Sequence, residues 1–390
     1  MRSILCAAAL VTAPIAAFAD TSCGGPFSTF VEDLKAEATA AGITPATAGA
    51  FLANVALDPA VLRADQKQAV FQMPFVDFAR RLISSDRINR GRTNAEKYDA
   101  IFDRIEAEYG VDRGVLLAFW AFETDYGRFQ GDFNTANALV TLAHDCRRPE
   151  LFRPQVFAAM KLFARGDFNP STTTGAWAGE IGMVQMLPYD ILKNGVDGDG
   201  DGIVALTTSA ADALSSAGKM LQSLGWQAGE PWLAEVTVPR DFDWSETGLE
   251  TTKPIRDWVA LGVEPRNGPL AEGLQGSVLI PQGRNGPAFI AYPNFRVYFE
   301  WNQSFTYVMT AAYFATRLQG AQVFDAGTPD IGLDGNQMRQ LQTGLQDMGY
   351  DVGGVDGILG SGTRAAVRAE QRRLGMPVDG WPTPELLSKL

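Results

Sequence analysis

The 390-residue sequence is poor in the residues that support most metal and cofactor chemistry, with one His and three Cys. A zinc site of the HExxH type needs two imidazoles and a c-type haem needs a CxxCH segment, so both are excluded. No GxSxG motif supports His144 in a nucleophilic triad, and no GxGxxG or GxxxxGKS/T motif predicts a nucleotide site. Carboxylates, in contrast, are plentiful, with 45 Asp plus Glu. An enzyme of this composition is expected to use a carboxylic acid.

Charge and hydropathy exclude two more classes of partner. The formal net charge is −12 and the Lys and Arg residues are scattered, so neither nucleic acid nor an anionic membrane surface is expected to bind. Beyond the N-terminal segment the longest uninterrupted apolar run is the eight residues 115–122, whereas a membrane helix needs about 20. We therefore expect no membrane span. The length predicts two or three domains.

The N-terminus has the pattern of an export signal. Arg2 precedes an apolar stretch at positions 4–18, and Ala17-Phe18-Ala19 supplies the small-x-small pattern that signal peptidase reads. Residues 1–19 are therefore predicted to be a signal peptide, with a buried N-terminal helix as the alternative.

The three cysteines indicate whether the exported protein carries a lipid anchor or a disulfide. The surroundings of Cys6 and Cys23 do not resemble a lipoprotein cleavage box, so no lipid anchor is expected. Cys23 and Cys146 remain in the mature chain, and an oxidising compartment favours a disulfide between them. That bridge would stabilise the fold by about 4 to 5 kcal/mol in the chain-entropy model. Two free buried thiols are the alternative.

The residue pattern divides the larger part of the chain into helical and strand-rich regions. Residues 27–165 show apolar residues at helical spacing, with helix starts at Thr44-Pro45 and Asp58-Pro59. From about 232 to 301, short alternating runs such as 295–299 lie between Gly and Pro turns. This part is predicted to be a strand-rich insert.

A separate C-terminal block follows a linker. Residues 325–332 are rich in Gly, Pro and Asp and separate the domain predicted at 20–324 from a block at 333–390. Within that block Val355-Asp356-Gly357 recurs as Val378-Asp379-Gly380, and a short helix is predicted after each copy.

The most informative residue is an acid on an apolar helix face. In the helix predicted around 115–123, Glu123 lies on the same face as Phe119 and Trp120. Burial among aromatic rings disfavours a charged carboxylate and raises its pKa, which suits a general acid near neutral pH. A structural Glu that caps a helix or pairs with an Arg is the alternative. Asp125 faces elsewhere and is not an obvious partner.

Four segments carry a family resemblance. Glu123-Thr124-Asp125-Tyr126-Gly127 resembles the E-T-x-W/Y-G signature of lytic murein transglycosylases of the membrane-bound lytic transglycosylase B type, including their soluble relatives. Residues 178–188 are similar to the A-G-x-x-G-x-x-Q-F-x-P stretch of that family. Residues 293–295 and 301–307 resemble its P-N-F and Y-N-x-S-x-x-Y elements. These segments occur in the family's order and spacing.

The resemblance implies a fold, a substrate and a reaction. The fold would be mainly α (α+β), with a lysozyme-like helical catalytic domain. The substrate would be the glycan strands of peptidoglycan in the periplasm. Glu123 would protonate the oxygen that links N-acetylmuramic acid to N-acetylglucosamine, and would then deprotonate the muramic C6 hydroxyl to give a 1,6-anhydro end. No second carboxylate would be needed, because the muramic N-acetyl group assists, and no cofactor is required. Ordinary glycosidases need a pair of acids.

The resemblance also implies the residues that contact the glycan. Gln185 would bind the sugar or orient Glu123, and Asn302 and Tyr307 would line the cleft. Tyr126 and Trp301 are further candidates for substrate contact, although Trp301 stands where the family has Tyr. The alternative for each polar residue is a satisfied position without a ligand.

An acidic loop is a candidate cation site. Asp197, Asp199 and Asp201 occupy positions 1, 3 and 5 of an EF-hand-like loop with Gly at position 6. Position 12 is Thr208, so the full motif fails. Some transglycosylases of this type carry a related calcium loop that a later Asp completes, and Asp212 would take that place here. The alternative is an exposed turn without an ion.

The block at 333–390 resembles a type 1 peptidoglycan-binding domain. The resemblance rests on ordered positions that include both Val-Asp-Gly repeats, Gly349-Tyr350 and Gln371. It implies a three-helix module that holds the wall polymer, with a stabilising appendage as the alternative. For the whole chain, a hydrolytic muramidase and a catalytically silent wall-binding protein are the alternatives. The oligomeric state is not predicted.

Overall fold

Residues 23–66 and 73–390 are described by a computed structural model, and the predicted signal peptide at 1–19 lies outside them. The described residues form seventeen α-helices and seven short strands. The predicted mainly α fold with a small β component is therefore confirmed. Within the described ranges, every helix is too short or too polar to cross a membrane.

The first half of the chain is almost entirely helical, as its apolar spacing predicts. Two helices begin at the caps expected from the sequence, since the side chains of Thr44 and Asp58 accept hydrogen bonds from backbone amides and a proline takes the first helical position. The helices of this half are α1 (Phe27–Ala40), α2 (Pro45–Leu52), α3 (Pro59–Asp65), α4 (Phe75–Leu82), α5 (Ser85–Lys97), α6 (Asp99–Tyr109), α7 (Arg113–Thr124), α8 (Thr135–His144) and α9 (Pro149–Arg165).

Helix α7 lies at the centre of this half. Asp112 caps it by accepting a 2.7 Å hydrogen bond from the Gly114 amide, and every residue from 114 to 121 is buried. A helix that is apolar all round must be covered on all sides. It ends where Asp125 takes a left-handed backbone conformation with φ 53°, so Glu123 lies in its last turn.

The second half combines further helices with a sheet. Its helices before the linker are α10 (Pro188–Asn194), α11 (Ala210–Ser223), α12 (Ile255–Ala260), α13 (Pro293–Trp301) and α14 (Phe305–Leu318). The strands of the chain are β1 (Phe133–Asn134), β2 (Thr174–Gly175), β3 (Leu233–Thr237), β4 (Lys253–Pro254), β5 (Glu264–Pro265), β6 (Gln275–Leu279) and β7 (Ala288–Ala291). β1 pairs with β2, and the other five form an antiparallel sheet in the order β4-β6-β7-β3-β5. Trp258, Val278 and Ile290 are fully buried in the core of this insert.

The strand-rich insert ends earlier than predicted. Its last strand stops at Ala291, and the alternating run 295–299, predicted as a strand, is the middle of α13. Proline at the first position of α13 favours a helix start. Phe295 and Tyr298 are three residues apart and fully buried, so the helical period matches the tertiary contacts better than the alternation does.

Helices α13 and α14 pack against the end of α7. The Phe122 ring stacks on Phe314 of α14 at 5.3 Å, and the Phe119 ring stacks on Trp301 of α13 at 4.4 Å. Aromatic stacking of this kind adds to the stabilisation from area burial. The turn between α13 and α14 is thereby held beside Glu123.

The C-terminal block forms three helices after a segment without regular structure at 321–334. They are α15 (Gly335–Asp347), α16 (Ser361–Arg373) and α17 (Pro384–Leu387). The repeat seen in the sequence has a structural counterpart. Gln342 donates to Asp356 and accepts from the Gly357 amide, and Gln371 makes the same pair of bonds to Asp379 and the following Gly380 amide.

A disulfide joins Cys23 to Cys146, with Cα atoms 5.1 Å apart. It attaches the segment before α1 to the end of α8. The single histidine lies beside it, with its ring packed edge-on against Phe27 and Phe30 and with Nε2 3.0 Å from the Gly25 carbonyl oxygen. Its surroundings are those of a packing residue.

Candidate active site

The Glu123 carboxyl is held by two neutral donors from the helices on either side of the turn between α13 and α14. Trp301 donates through Nε1 to Oε1 at 3.1 Å, and the Tyr307 hydroxyl donates to the same oxygen. Among the described residues no donor reaches Oε2. One oxygen is therefore fixed by the protein, and the other is left for a reacting partner.

The environment raises the pKa of Glu123 to about 7. Burial is the main cause, because removal from water disfavours the charged form. The hydrogen bonds from Tyr307 and Trp301 act in the opposite direction, and the nearby Glu180 adds to the increase. A pKa close to neutral pH lets the carboxyl exist in both its protonated and its ionised form. Such a group can give a proton and take one back.

The turn between α13 and α14 is stabilised by its own side chains. The Asn302 Oδ1 accepts from the Ser304 amide at 2.9 Å, and Ser304 caps α14 by accepting from the Tyr307 amide. Asn302, predicted to line the cleft, therefore shapes the turn that presents both donors to Glu123. Tyr307 and Trp301 lie against Glu123 itself.

The two residues after α7 form a strained turn beside Glu123. Asp125 and Tyr126 have φ values of 53° and 63°, which non-glycine residues rarely adopt. Asp125 pairs with Arg87 at 3.0 Å and Arg90 at 2.7 Å. Burial opposes ionisation of this carboxyl, but the two guanidinium groups hold its pKa below the usual value. Its role is to hold the turn.

The hydroxyl of Tyr126, predicted to contact substrate, has a partner within the protein. It donates to the Arg87 carbonyl oxygen at 2.8 Å. Burial raises the pKa of Tyr126 above its usual value, so the phenol stays neutral. The structure therefore places this hydroxyl in the support of the turn and not beside the free oxygen of Glu123.

The second motif, around Gln185, is a loop fastened to the end of α7. Thr124 donates through Oγ1 to the Met183 carbonyl oxygen at 2.5 Å. Gln185 has φ 54° and donates through Nε2 to the carbonyl oxygens of Gly182 and Gln130. Gly182 also has positive φ, and a Cβ there would lie 2.5 Å from Leu206. Only glycine allows this close approach.

A second acid in this loop was not singled out from the sequence. Glu180 occupies one of the unspecified positions of the A-G-x-x-G motif, its pKa is raised by burial, and it contributes to the raised pKa of Glu123. Its Oε2 is buried and has no hydrogen-bond partner among the described residues. An acid among glycines and apolar residues was the available signal.

The acidic loop is stabilised by backbone donors. Asp212, fully buried, accepts from the amides of Gly198 and Ala205 and from the Ser209 hydroxyl. Backbone amides also lower the pKa of Asp197, with the Gly202 amide as the main cause. Asp197, Asp199 and Asp212 each bring a carboxylate oxygen within 4.8 Å of the others. Asp201, predicted as a fourth ligand, is not in this group.

Two family models match the chain. The Transglycosylase SLT domain matches residues 26–316, and a peptidoglycan binding domain matches residues 334–390. Membrane-bound lytic murein transglycosylase B of Escherichia coli K12 is 26% identical over 234 residues, which are 60% of this chain and 64% of that protein. The alignment thus spans a little less than two thirds of this relative.

Solved structures extend the similarity to almost the whole chain. The crystal structure of SltB3 from Pseudomonas aeruginosa in complex with NAG-anhNAM-pentapeptide has a TM-score of 0.86 and 36% identity, covering 94% of this chain and 99% of that one. The soluble lytic transglycosylase SltB1 from Pseudomonas aeruginosa has a TM-score of 0.66 and 25% identity, covering 75% and 99%. With the first family model matching most of its residues, the chain belongs to the family of the Transglycosylase SLT domain.

Proposed function

We propose that the protein is a lytic transglycosylase that cleaves the β-1,4 bond between N-acetylmuramic acid and N-acetylglucosamine in peptidoglycan without consuming water. The observation that carries this proposal is the Glu123 carboxyl, whose pKa is raised to about 7 and whose Oε2 is free. The relative SltB3 was crystallised with a ligand that contains anhNAM, which supports an anhydro product.

A single carboxyl can perform both proton transfers of this reaction. The protonated Oε2 of Glu123 gives its proton to the glycosidic oxygen as the bond to C1 breaks, while the muramic N-acetyl group stabilises C1. The resulting carboxylate then takes the proton from the C6 hydroxyl, whose oxygen bonds to C1 and closes the 1,6-anhydro ring. Glu123 ends protonated, as it began. The donors Trp301 and Tyr307 stabilise the transient carboxylate through Oε1.

The remaining site residues have proposed roles around this reaction. Gln185 lies in the loop that Thr124 attaches to the end of α7 and would contact the glycan from the loop side. Trp301 would offer an aromatic face to a sugar ring, and Asn302 would keep the turn in place. Tyr126 is proposed as a support of the cleft wall, because its hydroxyl is bonded within the protein.

The setting of the reaction is proposed from the two domains. The module at 333–390 would hold glycan strands and raise their local concentration at the catalytic domain. The predicted signal peptide would deliver the protein to the periplasm, where its substrate lies.

For the acidic loop we propose a structural calcium ion held by Asp197, Asp199 and Asp212. Three carboxylate oxygens close together are the donors that calcium prefers. The ion would stabilise the loop against α11 and take no part in the reaction. Thermal unfolding in calcium and in chelator tests this. The melting temperature of wild type is expected to be higher in calcium than in chelator, and this difference should be smaller in Asp199→Asn. The same melting temperature for wild type in calcium and in chelator would refute the site.

Glu180 favours a hydrolytic muramidase as the second candidate. Hydrolytic glycosidases use two carboxyl groups, and Glu180 is the second acid that influences Glu123. Its Oε2 is buried away from solvent, so a water molecule has no access to this oxygen. We therefore rank it below the single-acid reaction.

One digestion experiment separates the candidates. Purified peptidoglycan is treated with wild type and with Glu123→Gln, and the released fragments are weighed. Anhydro fragments, one water lighter than hydrolytic ones, are expected from wild type only. Reducing-end fragments would support the muramidase, and no fragments from wild type would favour a silent wall-binding protein. Equal activity of the Gln variant would remove Glu123 from the mechanism.

A further inference from the structure

The C-terminal module is packed against the catalytic domain, not held at a distance from it. Asp379 accepts from the Arg284 amide at 3.2 Å, and a Cβ at Gly283 would lie 2.8 Å from Trp381. Arg368 of α16 approaches Glu250 at 3.8 Å. The module therefore has a defined interface with the strand-rich insert.

Arg364 of α16 extends this interface to the start of α14. Its guanidinium lies 5.0 Å from the centroid of the Phe305 ring and 6.0 Å from that of Trp381. It donates through Nη2 to the Pro281 carbonyl oxygen at 2.8 Å, and its buried Nε has no hydrogen-bond partner within 23–66 and 73–390. The partly buried cation thus lies between the two domains.

Among the described residues, Asp379 and Glu250 attract the Arg364 guanidinium, but neither forms an ion pair with it. Burial and the neighbouring Arg368 lower the pKa of Arg364 to about 9. A desolvated cation that makes no direct ion pair costs free energy, and an apolar residue would serve stability better. A cation over the face of an aromatic ring is attracted to that ring and favours one orientation of it. The contact between Arg364 and Phe305 therefore bears on where the Phe305 ring lies.

Phe305 links the two helices that carry the hydrogen-bond donors to Glu123. It is the first residue of α14, two residues before Tyr307, and its ring stacks on Phe299 of α13 at 6.4 Å. Phe299 lies two residues before Trp301. A shift of the Phe305 ring would therefore move the supports of both donors to Glu123.

We propose that the wall-binding module braces the active site: Arg364 is a positioning residue that, through Phe305, keeps the turn between α13 and α14 where Tyr307 and Trp301 meet Glu123. The module then contributes to turnover as well as to substrate retention. This inference rests on the proposed role of Glu123, and its test includes one measurement that does not depend on activity.

The test uses the full chain with Arg364→Gln and a matched control, Arg372→Gln, which changes an exposed arginine of the same helix. On soluble glycan fragments, Arg364→Gln is expected to lower kcat about tenfold or more with little change in KM, since small misplacements of catalytic groups cost up to ~10²-fold. The control should behave as wild type. Arg364→Lys, which keeps the charge, should recover part of the loss.

The pH profile separates positioning from tethering. The hydrogen bonds to Oε1 lower the pKa of Glu123, so their weakening raises it. The high-pH limb of kcat/KM should therefore move to higher pH in Arg364→Gln. If Arg364→Gln loses only affinity for intact wall, while kcat and the high-pH limb of kcat/KM are unchanged, the module acts only as a tether. That result would refute the proposed positioning role.

Hydrogen exchange tests the brace without reference to catalysis. Amides of residues 299–307 should exchange faster in Arg364→Gln than in Arg372→Gln or wild type. The three proteins are compared at the same number of degrees below their own melting temperatures. Phe305→Leu, which keeps the arginine, should give the same local change. Unchanged exchange in this segment would refute the inference, whereas failure of the proposed function would show as unaltered activity in Glu123→Gln.

Discussion

The molecule holds two groups of acids that differ in their donors and in their pKa. In the active site, Glu123 meets a phenol and an indole at one oxygen, and burial raises its pKa to about 7. In the acidic loop, Asp197 is bonded by backbone amides that lower its pKa. Buried Asp212 has donors at both oxygens.

The difference shows what an acid needs in order to do proton chemistry. A carboxylate with donors at both oxygens is stabilised as an anion and acts as a structural or cation-binding group. A carboxyl that is desolvated and keeps one oxygen free retains its proton near neutral pH and can deliver it. The four substitutions below test this contrast, from the largest expected effect to the smallest.

Replacing Glu123 should separate activity from stability most strongly. Glu123→Gln is expected to lower the rate of fragment release by about 10³-fold or more, since general acid–base groups contribute 10² to 10⁴ and this one serves twice. The folded pKa lies above the unfolded value, so wild type loses stability as pH rises from about 4.5 to about 7. The Gln variant should not lose it. Parallel stability curves for the two proteins would contradict the raised pKa.

Replacing Asp212 should have the opposite outcome. Asp212→Asn turns an acceptor oxygen into a donor that faces backbone amides, and leaving a buried group unsatisfied costs about 1 to 3 kcal/mol. Urea denaturation should show this loss, while kcat at a temperature where the variant is folded should stay near the wild-type value. A large loss of kcat without a loss of stability would break the proposed division between the two groups.

Removing one donor to Glu123 should change the pH profile. Tyr307→Phe deletes a hydrogen bond that lowers the pKa of Glu123, so the high-pH limb of kcat/KM should move to higher pH. The rate should fall by about tenfold, as expected when one stabilising hydrogen bond to a transient anion is lost. Tyr350→Phe, in the C-terminal module, provides a control. A limb that moves to lower pH would contradict the assigned bond.

Removing the neighbouring acid should have the smallest effect, in the other direction. Glu180 raises the pKa of Glu123, so Glu180→Gln should move the high-pH limb to lower pH. Its influence is the smallest of the causes given, and we expect a displacement of less than about one pH unit. Glu150→Gln, an exposed acid of α9, should leave the limb in place. Loss of all activity in Glu180→Gln would instead favour the two-acid muramidase.

The sequence predicted secondary structure correctly where the apolar residues of a segment fit only one spacing, either helical or alternating. The apolar face of α7 identified Glu123 and its raised pKa, and the proline-containing starts of α2 and α3 appear as predicted. The run 295–299 was predicted wrongly, because five residues that alternate also fit a helix and only the contacts with α7 distinguish the two. Residue spacing carries no information about such contacts.

The sequence by itself determined the fold class, the family and the acid on which the proposed reaction depends, since these follow from periodicity and from ordered motifs within short segments. The tertiary structure decided the rest: which oxygen of Glu123 is free, that Tyr126 is bonded to Arg87, and that Arg364 lies over Phe305. These contacts join residues from 39 to 184 positions apart, or residues of different domains. Their hydrogen bonds and pKa shifts arise only when packing removes water and brings the groups together.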